Sequence, residues 1–350
     1  MYINLTRILS DAIDSIVMLK NFNLSKQNLS VVIVTLKSEH VIHECINSID
    51  KDISIIVVEN TDNLKFKEDL EKKYPNVNCL LASKNLGMGS GSNLGIENSK
   101  TDYVLVLNPD VTLESDTIDK LILASKTISD FTILSPISID DIYPNYQFED
   151  QLVFPKILST MGEKNTGTRQ AVEFAYLKVR ANQTNLPFNV KSVDGYAMLL
   201  NKKKFNKIMV DKISNNLEKK NYFDENFFMY CENDDLCRRI THKGGNIFVV
   251  PNAKIHHLGA KSVNDKYDNE VEFSRNWHWI WSKFYFHKKH FGFFEAILDG
   301  YSKFFLSIFK WLFYLLVNNK KKKRIYYNRA SGFYNALIGN PSWYRPRLHD

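Results

Sequence analysis

The stretch Tyr103-Val104-Leu105-Val106-Leu107-Asn108-Pro109-Asp110-Val111 constrains this chain more than any other. An unbroken apolar run with aromatic and β-branched residues predicts a strand buried on both faces, the kind found in parallel sheets. Proline has no amide proton to give a ladder, so the chain leaves the sheet at Pro109. Asp110 is thereby held at the carboxyl edge of a sheet, where open α/β folds bind ligands. A carboxylate fixed there is a natural ligand for a hard divalent cation, and such a cation holds a diphosphate. Taken alone, the tripeptide is equally well an ordinary strand-ending turn with an aspartate capping a helix.

The preceding sequence repeats a strand–helix rhythm. Strands are predicted over Val31 to Leu36, Ile53 to Val58 and Asn78 to Ala82, and helices over Glu39 to Ile49, Asn63 to Tyr74 and Ser90 to Lys100. A helix over Leu113 to Ser129 follows the Tyr103 strand. This alternation predicts an α/β fold with a Rossmann-like, mostly parallel central sheet, flanking helices and right-handed crossovers. Beyond Phe131 to Leu134 the rhythm breaks. Ser135 to Val190, rich in proline and asparagine, reads as an irregular insertion over the site. A strand over Tyr196 to Leu200, a helix over Met229 to His242 closed by Gly244-Gly245, and a strand over Asn246 to Val250 complete the pattern.

The chain of 350 residues carries a net charge of +7, unevenly placed. From Lys303 to the end there are ten Lys and Arg and one acid, leaving the first 302 residues at about −2. Basic character confined to a tail, with no nucleic-acid motif, argues against nucleic acid as a partner. The four cysteines, Cys45, Cys79, Cys231 and Cys237, show neither a CxxC pair nor zinc spacing and read as reduced structural thiols. Residues 1–29 form an amphipathic extension that lacks the apolar core of a signal peptide.

From about residue 266 aromatics crowd the chain, among them Trp277, Trp279, Trp281, Phe284, Phe286 and Phe291. Phe304 to Val317 is nearly all apolar and runs into Lys320-Lys321-Lys322-Lys323-Arg324. That run is shorter than the ~20 residues a bilayer span needs. Apolar face and adjacent basic cluster predict a helix lying in a membrane interface against anionic lipid. The competing reading packs the aromatics on the catalytic domain and leaves the lysines as a solvated turn.

Seven pieces fall in one order: VVIVTLKSEHVIHECINSI, IIVVENTDN, SKNLGMGSGSNLGI, YVLVLNPDV, VDGYAMLLNKKKF, YFDENFFMYCENDDLCRRI and VVPNAKIHHLGAKSV. Over roughly Ser30 to Ser262 the chain resembles the family-two inverting glycosyltransferases, in particular bacterial rhamnosyltransferase-like members with the GT-A fold. The resemblance implies a GT-A catalytic domain over residues 30–265 and a C-terminal helical, membrane-associating region over 266–350. It implies nucleotide-sugar contacts from Thr35, Glu59 and Asn60 at two strand ends, from Asn85, Gly87 and Asn93 in a glycine-rich loop, and from Asn108 and Lys261. Leu36 and Lys37 stand where the family shows Tyr-Asn, and Glu59 where it shows Asp.

Asn108-Pro109-Asp110 occupies the place of the family's Asp-x-Asp motif, one carboxylate being an amide. The resemblance thus implies Asp110 and His257 at a Mg²⁺ or Mn²⁺ ion, with the diphosphate completing the shell. Glu232, Asp235, Leu236, Cys237 and Arg239 match the family's Glu-Asp-x-Asp-Leu-Cys-x-Arg helix. Asn233 replaces an aspartate often nominated as base, so Glu232 becomes the first candidate base and Asp235 the second. Helical spacing puts Glu232, Asp235 and Arg239 on one face, with Asp235 and Arg239 able to pair. Asp194, Gly195 and Asp224 match acceptor-side positions. The implied reaction is transfer of a sugar, rhamnose from dTDP-rhamnose being the first expectation, to a glycan or polyprenyl-linked acceptor in cell-surface polysaccharide synthesis. The expected location is the inner face of the cytoplasmic membrane. Two other classes compete. A nucleotidyltransferase would carry a glycine-rich, basic loop after its first strand, where Leu36-Lys37-Ser38-Glu39 stands instead. A degenerate binding module would explain the Asn108, Asn233 and Leu36 departures.

Overall fold

A computed structural model describes residues 24–128, 130–141, 145–147, 185–209, 222–259 and 261–348. The amphipathic segment before residue 24 and most of the Ser135 to Val190 insertion lie outside the described residues.

The first four strands are where the apolar runs put them. They are β1 (Leu29–Thr35), β2 (Ser54–Glu59), β3 (Val77–Leu81) and β4 (Tyr103–Leu107). Every residue of β1 and β4 is buried, as a strand covered on both faces requires. They pair in parallel in the order β3-β2-β1-β4. Thr35 lies level with Glu59, and Ile33 with Leu107, so these strands end together at one edge. The crossovers are α1 (Ile42–Asn47), α2 (Leu64–Lys73) and α3 (Met88–Asn98). Helix α3 sits unusually close to β1: a Cβ on Gly95 would lie 2.4 Å from Val32 Cγ1, and one on Gly91 2.8 Å from Val34 Cγ1.

Past β4 the pairing becomes mixed. The chain forms β5 (Val111–Leu113), α4 (Thr117–Thr127), β6 (Ile133–Ser138), the short β7 (Tyr146–Gln147), β8 (Phe188–Val190) and β9 (Ser192–Val193), then β10 (Ala197–Asn201) and α5 (Lys202–Met209). After α6 (Glu232–His242), β11 (Ile247–His257) closes the sheet. Strand β10 runs antiparallel between β4 and β6, and β5 and β8 run antiparallel to β11, while β6 and β11 are parallel. Among the described strands parallel order thus holds for the crossover-connected first four and for the β6–β11 pair.

Several sequence-based boundaries shift, among them the start of α1, which lies at Ile42 and not at Glu39. The helix predicted from Leu113 begins at Thr117, because Val111–Leu113 is taken as a strand by β11. The helix predicted from Met229 begins at Glu232. The strand predicted to stop at Pro251 continues to His257; its pairing with β6 shifts register between Val249 and Lys254, and a proline is tolerated at such an irregularity.

The C-terminal region is three helices, α7 (Asp268–Phe291), α8 (Phe293–Leu316) and α9 (Lys320–Leu337). Their core is Trp277, Trp281, Phe284, Ala296, Phe333 and Ala336. Glycines permit the close approach: a Cβ on Gly332 would lie 2.4 Å from the Trp277 carbonyl oxygen. Four lysines and an arginine at the start of α9 oppose the helix dipole. The Asn319 side-chain cap on the Lys322 amide, and ion pairs from Lys321 to Glu272 and Arg324 to Glu270, offset that. The aromatics of α7 are mostly buried, in line with the packing alternative, whereas those of α8 are mostly exposed. All four cysteines are buried free thiols.

Candidate active site

The shared edge of β1, β2 and β4 opens into a cavity of about 410 Å³, a usual size for a small-molecule site. Thr35, Asn60, Asn85, Gly87, Asn108, Asp110, Glu232 and His257 all line it. Glu59 stands behind this wall. Its two carboxylate oxygens accept from the hydroxyls of Thr35 (2.5 Å) and Thr61 (2.6 Å). Burial raises its pKa, partly offset by those hydroxyls. Glu59 therefore orients Thr35 and is not itself on the cavity surface.

Asn60 ties the strand edge to the glycine-rich loop: its side chain donates to the Gly87 carbonyl (3.2 Å) and accepts from the Leu86 amide (3.2 Å). Asn85 accepts from the Gly87 amide at 3.1 Å. Gly87 has φ +85°, and a Cβ there would lie 2.1 Å from the Phe228 carbonyl oxygen. Only glycine satisfies both demands. Asn93 points away from the cavity. It donates to the Phe223 carbonyl (2.8 Å), accepts from the Phe223 amide (2.9 Å) and so staples α3 to the segment leading to α6.

Asp110 is 2% exposed. Its Oδ2 accepts from the backbone amide of Lys261 at 3.1 Å, while its Oδ1 is buried without a hydrogen-bond partner. The Lys261 ammonium turns away to Asp265. His257 Nε2 lies 3.9 Å from Asp110 Oδ2. The imidazole is held on its far side: Nδ1 lies 3.3 Å from Asp141 Oδ1, and the ring stacks on Tyr196 at 4.1 Å. Tyr196 in turn donates its hydroxyl to Asp141 Oδ2 at 2.5 Å. A carboxylate on Nδ1 favours the tautomer that leaves Nε2 bare toward Asp110, as an acceptor on the far ring nitrogen does for metal-binding histidines. Nothing in the sequence marked Asp141 or Tyr196 for this role.

An unpartnered buried Oδ1 beside a bare imidazole nitrogen suits a divalent cation. Among the described residues no cluster of three or more His, Cys, Asp or Glu could hold a metal ion. Asp110 and His257 thus offer two neighbouring ligand atoms, a donor set that fits a divalent cation only in part.

Glu232 opens α6 immediately after two strained residues, Tyr230 (φ +70°) and Cys231 (φ +64°). Non-glycine residues rarely adopt such angles, and two in succession aim the Glu232 side chain into the cavity. Its Oε2 is buried without a partner, and burial pushes its pKa up to about 7. Asp235, one turn on, is fully buried and lies off the cavity. It is held by Lys289 (2.6 Å), Arg239 (2.7 Å) and His290 (2.8 Å). Burial alone would raise its pKa; His290, Arg239 and Lys289 hold it well below the usual carboxylate range. A carboxylate held by three partners, off the cavity lining and hard to protonate, anchors α6 against α7 and is poorly placed to take a proton from a substrate.

The three acceptor-side candidates also lie off the cavity lining. Asp224 accepts from Lys289 (2.7 Å) and from the Tyr285 hydroxyl (3.1 Å). Gly195 packs on Asn233, where a Cβ would sit 3.2 Å from the Asn233 Cβ. Asp194 is pushed up to about 7 by burial and by the Asp234 and Asp141 charges. The remaining wall is one the motifs did not announce: Val271, Ser274 and Arg275 of α7, and Pro346 of the C-terminal segment.

Comparison with known proteins places the chain. It is 26% identical to the N-acetylglucosaminyl-diphospho-decaprenol L-rhamnosyltransferase of Mycobacterium tuberculosis over 61% of this chain and 69% of that protein. It is 26% identical to the low-salt glycan biosynthesis hexosyltransferase Agl10 of Haloferax volcanii over 63% of this chain and 64% of that one. It is 24% identical to the rhamnosyltransferase WbbL of Escherichia coli K12 over 67% of this chain and 82% of that one. Among solved structures, GalNAc-T7 with UDP, GalNAc and Mn²⁺ aligns at TM-score 0.47 and 13% identity, over 66% of this chain and 43% of that chain. S. aureus TarS 1-349 aligns at 0.43 and 13%, over 92% and 94%. Residues 30–209 match the family described as glycosyl transferase family 2, and since that is just over half its length, the chain belongs to this family.

Proposed function

We propose that this chain is a metal-dependent inverting glycosyltransferase that moves a hexose, rhamnose being the first choice, from a nucleoside diphosphate to a lipid-linked glycan in cell-surface polysaccharide synthesis. The observation that carries the reading is that Asp110 and Glu232 line one cavity, each with a buried carboxylate oxygen that no protein group satisfies. Relatives named as a diphospho-decaprenol rhamnosyltransferase and a glycan hexosyltransferase support the donor and acceptor classes.

In this reading Thr35, Asn60, Asn85 and Gly87 seat the nucleoside, residues 30–265 forming the catalytic domain. Asp110 and His257 hold Mg²⁺ or Mn²⁺, which when bound offsets charge on the departing diphosphate. Glu232 takes the proton of the acceptor hydroxyl as that oxygen attacks the anomeric carbon. The bond from that carbon to the diphosphate oxygen breaks on the opposite face, so the centre inverts. Asp235, Arg239 and His290 keep α6 in place.

Residues 266–350 bring the enzyme to its acceptor. Among the described residues no helix is long and apolar enough to cross a membrane. Helix α8 instead exposes one stripe, Phe294, Leu298, Tyr301, Phe305, Phe309, Leu312 and Leu316, beside the Lys320 to Arg324 cluster. A stripe at helical spacing next to basic residues supports peripheral binding at the inner face of the cytoplasmic membrane. The reading is tested by incubating purified protein with sugar nucleotides and Mg²⁺ or Mn²⁺. Release of nucleoside diphosphate is expected; release of pyrophosphate, or of nothing with any donor, refutes it.

A further inference from the structure

Arg275 and Ser274 of α7 reach the same cavity as Asp110 and Glu232, together with Val271 one turn before them. These residues share one face of the helix. The next turn of that face is locked. His278 packs tilted against Phe228 with ring centroids 4.5 Å apart, donates from Nε2 to the Tyr344 carbonyl at 2.7 Å and accepts from the Ser342 hydroxyl at 3.0 Å. Burial drives its pKa down to about 3, so it stays neutral in that role. The strap it holds places the Arg345 guanidinium 3.7 Å over the Phe228 ring and Pro346 on the cavity wall. Ser282 adds a bond to the Met229 carbonyl at 2.7 Å. Helix α7 is thus fixed against the loop that precedes Glu232.

Two features of this face call for a ligand. Ser274 is fully buried, yet its hydroxyl has no hydrogen-bond partner. A buried hydroxyl without a partner is destabilising, and a ligand atom in the cavity would relieve that. Arg275 lines a cavity whose other titratable side chains include Asp110, Glu232 and His257, and its charge acts on the neighbouring Tyr230 phenol. A planar fork beside a hydroxyl donor matches the oxygens of a phosphate.

We propose that Arg275 and Ser274 form a phosphate subsite on the C-terminal helices, taking a phosphate of the diphosphate in the sugar donor or in the lipid-linked acceptor. The inference rests on the transferase reading for its choice of ligands. The C-terminal region is then part of the active site as well as a membrane anchor.

The test is calorimetric titration of the full chain and of Arg275→Ala, Arg275→Lys and Ser274→Ala with three probes. These are thymidine, thymidine diphosphate with Mg²⁺, and farnesyl diphosphate in detergent. Arg275→Ala is expected to weaken a diphosphate probe by on the order of tenfold or more while binding thymidine as before. Arg275→Lys should recover part of the loss, and Ser274→Ala should lose less. A loss confined to thymidine diphosphate assigns the subsite to the donor, and one confined to farnesyl diphosphate assigns it to the acceptor. Unchanged affinity for both diphosphates, or an equal loss for thymidine and its diphosphate, overturns the proposal. Wild-type protein that binds farnesyl diphosphate through Arg275 but none of thymidine, uridine and guanosine diphosphate with Mg²⁺ keeps the subsite and removes the transferase reading; protein that binds no diphosphate removes both.

Discussion

The backbone amide of Met88 donates to the carbonyl oxygen of Phe228 at 3.1 Å. That single bond joins the start of α3, where the glycine-rich loop ends, to the loop that delivers Glu232. It also explains why Gly87 must be glycine: any side chain would strike the same carbonyl. The glycine-rich loop and the wall that carries Glu232 are thereby joined by one contact. Gly87→Ala is expected to lose ~1–3 kcal/mol of stability through backbone strain and to weaken nucleoside diphosphate binding as well. Thermal melts and titrations on the same sample check whether the two losses come together.

Glu232→Gln separates stability from catalysis. A carboxyl whose folded pKa is raised to about 7 contributes stability that is full below its unfolded pKa of 4.5 and is lost as pH rises through about 7. Charging this group in the fold thus costs on the order of 3 kcal/mol. The amide escapes that cost. The melting temperature of Glu232→Gln should exceed that of wild type by a margin that widens from about pH 4.5 to about pH 7 and then levels, while transfer is lost.

Asp235→Asn should do the opposite. Removing the charge leaves Arg239, Lys289 and His290 facing a neutral amide. A loss of ~3–5 kcal/mol is expected, as for other broken buried ion pairs. Denaturant or thermal unfolding measures it. A folded, stable Asp235→Asn enzyme with normal melting and no activity would instead restore Asp235 as a base.

Asp141→Asn and Tyr196→Phe loosen the imidazole that faces Asp110. Mn²⁺ affinity measured by paramagnetic resonance in the presence of nucleoside diphosphate should fall on the order of 10–100-fold in Asp141→Asn. Without nucleotide, wild type and variant should both bind the ion weakly, because protein supplies only part of the shell.

The α8 stripe predicts a membrane defect without a folding defect. Phe305 and Phe309 are 64% and 68% exposed, so replacing both with glutamate removes little buried surface. Co-sedimentation with anionic vesicles should fall at least about tenfold for the double variant, and added salt should weaken the wild type.

Much of this was legible in the chain. Buried runs such as Val31 to Val34 and Tyr103 to Leu107 have only one stable home, a covered sheet, and Pro109 marks where it ends. Motif order then brought Asp110, Glu232, Thr35, Asn60 and His257 together. What stayed hidden depends on three-dimensional partners. Glu59 and Asp235 look like site carboxylates, yet they are saturated by Thr35 and Thr61, and by Lys289 and His290, from distant segments. Pro251 looks like a strand end because a register shift cannot be read from composition. Arg275 sits in an aromatic stretch whose pattern speaks of packing, and only the docking of α7 on Phe228 and Met229 turns it toward the cavity.

The most direct measurement is the pH dependence of kcat/KM for sugar transfer by wild type and Glu232→Gln. If Glu232 is the base, wild-type kcat/KM climbs through one ionisation at about 7 and then levels. Glu232→Gln should fall by roughly 10²–10⁴-fold and lose that ionisation. A variant within about tenfold of wild type that keeps the same profile would contradict the account.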